Sequence, residues 1–123
     1  MSKSHSVIHS FPYAMSGIKD TLKKEPNFKI QLILGVLAIF LGIILSISTT
    51  EWLILMMSIF LVLVLELINT TLENLVYIVS PQIQEKARVA KDVAAGGVLM
   101  CSILSVIIGL IIFLPKVILL ISR

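Results

Sequence analysis

The sequence is poor in charged residues, in aromatic residues and in cysteine. Of its 123 residues, 14% are charged and 7% are aromatic, whereas 58% are hydrophobic, and the mean hydropathy is +1.07. A soluble domain of this length could not bury so much apolar surface, so the composition excludes a soluble globular protein and indicates a membrane protein. The single cysteine, Cys101, excludes a disulfide framework.

Other patterns are also missing. The chain has no Walker-type G-x-x-x-x-G-K-[ST] phosphate loop. The apolar run in the first 29 residues is too short for a signal peptide. No basic and aromatic patch exists outside the segments that flank the apolar runs, so nucleic acid is not an expected partner. The net charge of +3 resides in those flanks and suits anionic lipid head groups or nucleotide phosphates.

Three apolar segments are long enough to cross a bilayer. They cover about residues 30–48, 52–79 and 93–114, and each approaches or exceeds the 20 residues that a hydrocarbon core of about 30 Å requires. No internal repeat or linker separates them. The sequence therefore predicts one all-α integral-membrane domain over residues 1–123, with three transmembrane helices.

The N-terminal segment, residues 1–29, precedes these spans. Apolar side chains recur at helical spacing from Phe11 to Leu22, with lysines elsewhere on the helix, which predicts an amphipathic helix over residues 11–24 on the membrane surface. Pro12 fits the first turn of such a helix. The tripeptide Glu25-Pro26-Asn27 is expected to end it.

The distribution of Lys and Arg predicts the orientation. The first 29 residues contain five lysines, the predicted first loop (49–51) contains none, and the second loop (80–92) contains three basic residues. The positive-inside rule therefore places the N-terminus and the second loop in the cytoplasm. The second span is expected to end at Ser80-Pro81, before a short connector over residues 82–89.

Glu66, Asn69 and Glu73 form a polar stripe in the second predicted span. Their spacing keeps them within roughly one 60° sector of a helix with about 3.6 residues per turn. A carboxylate near the bilayer centre costs about 2.5–3.5 kcal/mol, so this stripe predicts a function, such as a site for a cation or a phosphorylated ligand. One carboxylate suits Mg²⁺ and the other suits a general base. The structural alternative is pairing with lysines or interhelical hydrogen bonds.

Two further places are candidates for the same site. Glu25 is predicted at the same depth as Glu73, where it could complete a metal site or be an ordinary interfacial acid. Lys91 and Asp92 are predicted to open the third span, with Asp92 as its N-cap. A helix N-terminus binds phosphate well, although positive-inside topology alone also explains Lys91.

Two motifs give the chain a family resemblance. The sequence from Glu66 to Glu73, ELINTTLE, and the sequence from Ala90 to Gly96, AKDVAAG, resemble the signature of the prokaryotic diacylglycerol kinase family. The resemblance runs from about Phe11 to Lys116. Two further motifs are similar to those of the Gram-positive branch, which acts as undecaprenol kinase. They are Glu25-x-Asn27-Phe28 and the sequence IIGLIIFLPK over residues 107–116.

The resemblance implies a homotrimer in the bacterial cytoplasmic membrane, with active sites shared between neighbouring subunits and open to the cytoplasm. It implies MgATP as the phosphoryl donor and a membrane lipid alcohol as the acceptor. By position, Glu66 would be the general base, and Glu25 and Glu73 would hold Mg²⁺. The residues that would contact the nucleotide or order its site are Tyr13, Ala14, Gly17, Lys19, Asn69, Gln82, Gln84, Lys91 and Asp92.

Three positions depart from the family pattern. Tyr77 stands where Asp is usual, and Gln84 and Gln31 each replace a His. The predicted reaction is transfer of the ATP γ-phosphate to undecaprenol. The alternatives are the same reaction on diacylglycerol, a small proton-coupled transporter, and a membrane subunit with an inactive site. Three spans and an A-K-D motif argue against the transporter, and the intact motifs argue against the inactive subunit.

Overall fold

The computed structural model describes residues 7–79, 82 and 84–123, and four helices account for nearly all of them. The helices are α1 (Val7–Lys24), α2 (Pro26–Ile44), α3 (Thr49–Val79) and α4 (Glu85–Ile121). Helices α2, α3 and α4 are each long and apolar enough to cross a membrane. The predicted all-α architecture, with a shorter helix before three spans, is confirmed.

The junction between α1 and α2 is a single residue, Glu25. Its backbone is extended (φ −108°, ψ 106°), and Pro26 occupies the first turn of α2. A proline disfavours the helical conformation in the residue before it, so the Glu25-Pro26 pair ends one helix and begins the next, as predicted. Pro12 lies inside α1 and not in its first turn, because the described helix already begins at Val7.

Helix α3 begins earlier than predicted. Residues 49–51, expected as a loop, form its first turn, and the loop covers residues 45–48. The cause is a capping box: the Ser48 N–H donates to Glu51 Oε1 at 3.0 Å, and the Glu51 N–H donates to Ser48 Oγ at 3.2 Å. The polar residues after the first span therefore start a helix. The predicted stop at Ser80-Pro81 lies outside the described residues.

Helix α4 begins eight residues before the predicted start of the third span. Gln84 is its N-cap, with φ −93° and ψ 151°, so the predicted connector is helical from residue 85 onward. Asp92 is therefore not an N-cap, and that prediction was wrong. Arg88 pairs with Glu85 one turn before it and with Asp92 one turn after it, which stabilises a polar helical extension. Residue 93 is therefore where the apolar part of α4 begins and not where the helix itself begins.

Helix α3 packs antiparallel to both α2 and α4 and contacts each of them. At one end, buried Ile47, Leu55, Ile112 and Phe113 form an apolar cluster, hereafter the packed end. The Lys116 ammonium lies 3.3 Å from Glu51 Oε1 at this end, so the side chains of α3 and α4 meet in an ion pair where the cluster stops.

Two glycines allow the close packing of α2 against α3. A Cβ at Gly42 would lie 2.8 Å from Cη2 of Trp52, and one at Gly35 would lie 2.9 Å from Cγ2 of Ile59. By contrast, a Cβ at Gly96 or Gly97 would meet nothing within 4 Å in this chain. The close helix approach inside the chain therefore depends on glycines of α2.

Candidate active site

The buried face of α3 changes from apolar to polar along the helix. Leu55, Ser58 and Val62 are buried on this face, and Glu66 and Asn69 continue it with only 3% and 8% of their surfaces exposed. A carboxylate this buried is rare unless it has partners or a function. The end of the bundle that contains Glu25, Glu66 and Glu73 is hereafter the carboxylate end.

Glu66 has a hydrogen-bond partner on the neighbouring helix. The amide of Gln31 in α2 donates through Nε2 to Glu66 Oε2 at 3.3 Å. Sequence reasoning noted Gln31 as a departure from the family pattern and gave it no role. The available signal was its position as an amide at the start of the otherwise apolar run 30–48. The amide thus joins α2 to the stripe on α3.

Asn69 and Glu73 interact within α3. Asn69 Nδ2 donates to Glu73 Oε1 at 3.4 Å, so the stripe predicted from spacing is a connected set of side chains. Glu73 is partly buried. Glu66 precedes Asn69 by three residues and Glu73 by seven, so the three side chains lie along one side of α3.

Unpaired polar atoms concentrate beside Glu66. Among the described residues, three buried side-chain atoms have no hydrogen-bond partner: Gln31 Oε1, Asn69 Oδ1 and Thr70 Oγ1. Buried polar groups are nearly always paired in folded proteins, so each unpaired one calls for an explanation. Here all three belong to residues that touch Glu66 or follow it by one turn, which indicates that an additional partner completes this region.

A cleft of about 560 Å³ lies between α1, the α1–α2 junction and α3. It is lined by Ala14, Gly17, Ile18, Asp20, Thr21, Lys24, Glu25, Leu67, Thr70, Thr71 and Asn74. Three of the predicted site residues, Ala14, Gly17 and Glu25, thus share one concave surface. The stripe from Glu66 to Glu73 occupies the adjacent face of α3 and does not line the cleft.

Apart from Asn69 in the stripe, six predicted nucleotide residues do not line the cleft of this chain. All six are exposed: two lie on α1, two between α3 and α4, and two in the second turn of α4. The Asp92 carboxylate of α4 is bound by Arg88 at 2.8 Å. The six exposed residues that do not line the cleft are Tyr13, Lys19, Gln82, Gln84, Lys91 and Asp92.

The donors at the carboxylate end suit a hard cation. Within the described ranges, no group of three acidic, histidine or cysteine side chains converges as a closed metal site. Magnesium does not need one, because it is usually held by one or two carboxylates together with substrate phosphates and water. Glu25 and Glu73 are both partly accessible, and the unpaired oxygen of Asn69 adds a neutral donor nearby.

Comparison with known proteins gives a consistent result. The prokaryotic diacylglycerol kinase family matches residues 12–113. The chain is 37% identical over 107 residues to the undecaprenol kinase of Bacillus subtilis, covering 87% of each chain. It is 36% identical over 111 residues to the diacylglycerol kinase of Synechocystis, covering 89% of this chain and 63% of that one. It is 29% identical over 108 residues to the diacylglycerol kinase of Haemophilus influenzae, covering 87% and 92%.

The family match includes the buried stripe of α3, the α1–α2 junction and the polar start of α4. The resemblance predicted from the motifs is confirmed over most of the chain. Because the match covers far more than half of the sequence and the fold has the three expected spans, this chain belongs to the prokaryotic diacylglycerol kinase family and is an ATP-dependent lipid kinase of the membrane.

Proposed function

We propose that the protein transfers the γ-phosphate of MgATP to the hydroxyl of undecaprenol and releases undecaprenyl phosphate and ADP. The observation that carries this proposal is the burial of Glu66 where an apolar groove meets the carboxylate end. The 37% identical relative that bears the name undecaprenol kinase supports this acceptor. Diacylglycerol is the second candidate, because two other relatives bear the name diacylglycerol kinase.

The groove is an open cavity of about 300 Å³ between α2, α3 and α4. Its lining is mostly apolar, and it includes Gln31, the hydrogen-bond partner of Glu66. A long isoprenoid alcohol is hydrocarbon up to its single hydroxyl, so its chain suits the apolar lining and its hydroxyl suits the polar end. Diacylglycerol carries two ester carbonyls close to its hydroxyl, and these would need partners in the same place.

Glu66 would act as the general base. It accepts the proton of the lipid hydroxyl, the lipid oxygen forms a bond to the γ-phosphorus, and the bond between that phosphorus and the β–γ bridging oxygen breaks. Phosphoryl transfer depends mainly on positioning and charge stabilisation, so the protein needs no covalent nucleophile. Burial of Glu66 keeps the carboxylate away from bulk water, and its partner Gln31 lines the apolar groove.

Glu25 and Glu73 would hold Mg²⁺, which neutralises phosphate charge when it is bound. Ala14 and Gly17 would contact the nucleotide from α1, since both line the cleft beside Glu25. Asn69 donates through Nδ2 to Glu73, and its unpaired Oδ1 would add a neutral oxygen ligand to the metal beside the phosphates.

The remaining nucleotide residues support a shared site. None of them lines the cleft of its own chain, so a second copy is the simplest source of these groups. We therefore include in the proposal a homotrimer whose neighbouring subunits contribute to each site, with the carboxylate end facing the cytoplasm. The lysines flanking Glu25 and the basic start of α4 favour that orientation. The six residues are Tyr13, Lys19, Gln82, Gln84, Lys91 and Asp92.

The proposed reaction is tested by phosphate transfer from γ-labelled ATP to undecaprenol and, in parallel, to diacylglycerol in detergent and in bilayers. We expect label in undecaprenol. If diacylglycerol is labelled as well, the kcat/KM for undecaprenol should be higher. A higher kcat/KM for diacylglycerol would reverse the assignment of the acceptor. Label in neither lipid, from folded protein that binds ATP, would contradict the proposed reaction and favour an inactive subunit.

The shared site is tested by complementation. Glu66→Gln and Glu25→Gln proteins, each inactive alone, are mixed under conditions in which subunit exchange is shown by a fluorescence label. A mixed trimer contains a site with both carboxylates if they come from different subunits, so part of the activity should return. Exchange without any return of activity would mean that each chain carries its own complete site.

A further inference from the structure

The contact between Gln31 and Glu66 links two parts of the molecule that are otherwise separate. Gln31 lines the apolar groove between the spans, and Glu66 belongs to the buried stripe of the carboxylate end. Gln31 Nε2 donates to Glu66 Oε2 at 3.3 Å, across 35 positions of sequence. Among the hydrogen bonds of the described residues, the one from Gln31 joins the groove lining to the stripe.

The hydrogen bond restricts the Glu66 carboxylate. A free carboxylate at the end of a glutamate side chain rotates about its last torsion, whose energy wells are broad. An amide donor on Oε2 fixes that rotation and leaves Oε1 to receive a proton. The burial of Glu66 makes this hydrogen bond more important, because water cannot replace the donor if it is removed.

The other half of the Gln31 amide is unused. Its Oε1 is buried and has no partner, unlike the amide of a glutamine that serves only to join two helices. An acceptor atom without a donor, next to a carboxylate and on the wall of an apolar groove, matches one chemical group in particular: the hydroxyl of an alcohol with a hydrocarbon chain.

From these observations we infer that Gln31 is a positioning residue for phosphoryl transfer: its N–H holds Glu66 in the orientation that accepts the proton, and its carbonyl oxygen receives the arriving lipid hydroxyl. This inference rests on the proposed function. The hydroxyl first donates its hydrogen bond to Gln31 Oε1 and then turns to Glu66 Oε1, which takes the proton as the bond to phosphorus forms.

The test is Gln31→Met, which keeps the length of the side chain and removes both hydrogen-bonding groups. We expect kcat to fall by roughly tenfold, the effect of losing one hydrogen bond to a charged group, with KM for ATP unchanged. The matched control is Leu37→Met, which lies on the exposed face of α2 outside the groove lining and should keep kcat within about twofold if only the hydrogen bond matters.

A double variant separates positioning from a structural role. If Gln31 acts through Glu66, then adding Gln31→Met to Glu66→Gln should lower the residual kcat at saturating lipid no further, because the group that it positions is already lost, and loss of its contact with the lipid hydroxyl should appear in KM for the lipid. A further drop of kcat in the double variant at saturating lipid, a rise in KM for ATP, or an equal loss in Leu37→Met would overturn the inference. So would a normal kcat in a folded Gln31→Met protein.

The failure of this inference is distinguishable from failure of the proposed function. If the unaltered protein phosphorylates a lipid alcohol and Glu66→Gln abolishes that activity while Gln31→Met does not lower it, only the role of Gln31 is wrong. If the unaltered protein labels no lipid alcohol, the proposed function itself is wrong. Thermal unfolding of each variant in the same detergent shows that the compared proteins are equally folded.

Discussion

The two ends of the helix bundle use the same face of α3 differently: one end is apolar and packed, and the other is polar. At the packed end, α3 contributes Leu55 to an apolar cluster, and its first turn is fixed by a capping box and an ion pair. At the carboxylate end, the same face of α3 contributes Glu66 and Asn69, which leave polar atoms unpaired around them. The packed end has polar groups paired within the chain, whereas the carboxylate end leaves three buried polar atoms of the described residues unpaired.

The difference indicates where stability and reactivity reside. Polar groups at the packed end have found their partners: Ser58 donates to Ser105 at 2.7 Å, and Glu51 meets Lys116. Unpaired polar atoms at the carboxylate end cost stability, and such costs persist at sites where a ligand later supplies the missing partner. Substitutions at the two ends should therefore separate activity from folding.

The largest expected effect comes from one substitution made at both ends of α3. Glu66→Gln should lower turnover at least about 10²-fold, the usual effect of a lost general base, with less effect on nucleotide binding. Glu51→Gln is the matched control, because Gln also serves in a capping box and turnover should be close to normal. Turnover is measured as labelled lipid formed at saturating ATP. Near-normal turnover of Glu66→Gln would remove this residue from the mechanism.

The next effect concerns the two proposed metal ligands. Glu25→Gln and Glu73→Gln should each weaken MgATP binding, because each removes a charged oxygen ligand. If both carboxylates hold one ion, the double variant should lose less than the sum, with a coupling of about 0.5–3 kcal/mol. Isothermal titration of nucleotide at varied Mg²⁺ measures these losses. Strictly additive losses would mean that the two acids serve separate sites.

A smaller effect is expected where α2 and α3 approach closely. In Gly42→Ala, the new Cβ would lie 2.8 Å from the Trp52 ring, so overpacking should destabilise the fold by about 1–3 kcal/mol. Gly109→Ala is the control, because nothing lies within 4 Å of its new Cβ. Unfolding in mixed detergent micelles measures both. Equal stability of the two variants would show that the contact between α2 and α3 at Gly42 can accommodate a methyl group.

The smallest effect belongs to the ion pair of the packed end. Glu51 and Lys116 are each about a third exposed or less, and their nearest atoms are 3.3 Å apart. A double-mutant cycle with Glu51→Gln and Lys116→Met should give only a small coupling, and this coupling should decrease with added salt. The unfolding free energies of the four proteins supply the cycle. A coupling that salt does not change would indicate that lipid or protein shields the pair from solvent.

The sequence was sufficient for the parts of this fold that follow from local patterns. Three apolar runs predicted three spans, the Glu25-Pro26 pair predicted a helix junction, and the spacing of Glu66, Asn69 and Glu73 predicted one polar face. These features depend on helix periodicity and on backbone restriction by proline. The structure confirms that Asn69 and Glu73 interact and that Glu66 is buried.

Other features depend on contacts that no local pattern encodes. Hydropathy placed the start of the last span near residue 93, whereas ion pairs around Arg88 extend α4 back to Glu85. The partner of Glu66 could not be identified, since it depends on which face of α2 turns toward α3. The exposed positions of Lys91 and Asp92 also require the packed helices, and their roles in a shared site stay predictions.

The rigid rise of α3 has a consequence for the membrane around it. Glu66 follows Glu51 by 15 residues, or about 22 Å along the helix axis, and Glu73 follows it by about 33 Å. With Glu51 and Lys116 anchored at one boundary of a hydrocarbon core about 30 Å thick, Glu73 reaches the other boundary and Glu66 stays roughly 8 Å inside it. Because the rise of the helix is fixed, the depth of Glu66 below the membrane surface depends on bilayer thickness. The acyl-chain length of the surrounding lipid therefore determines how far the proposed base lies from water.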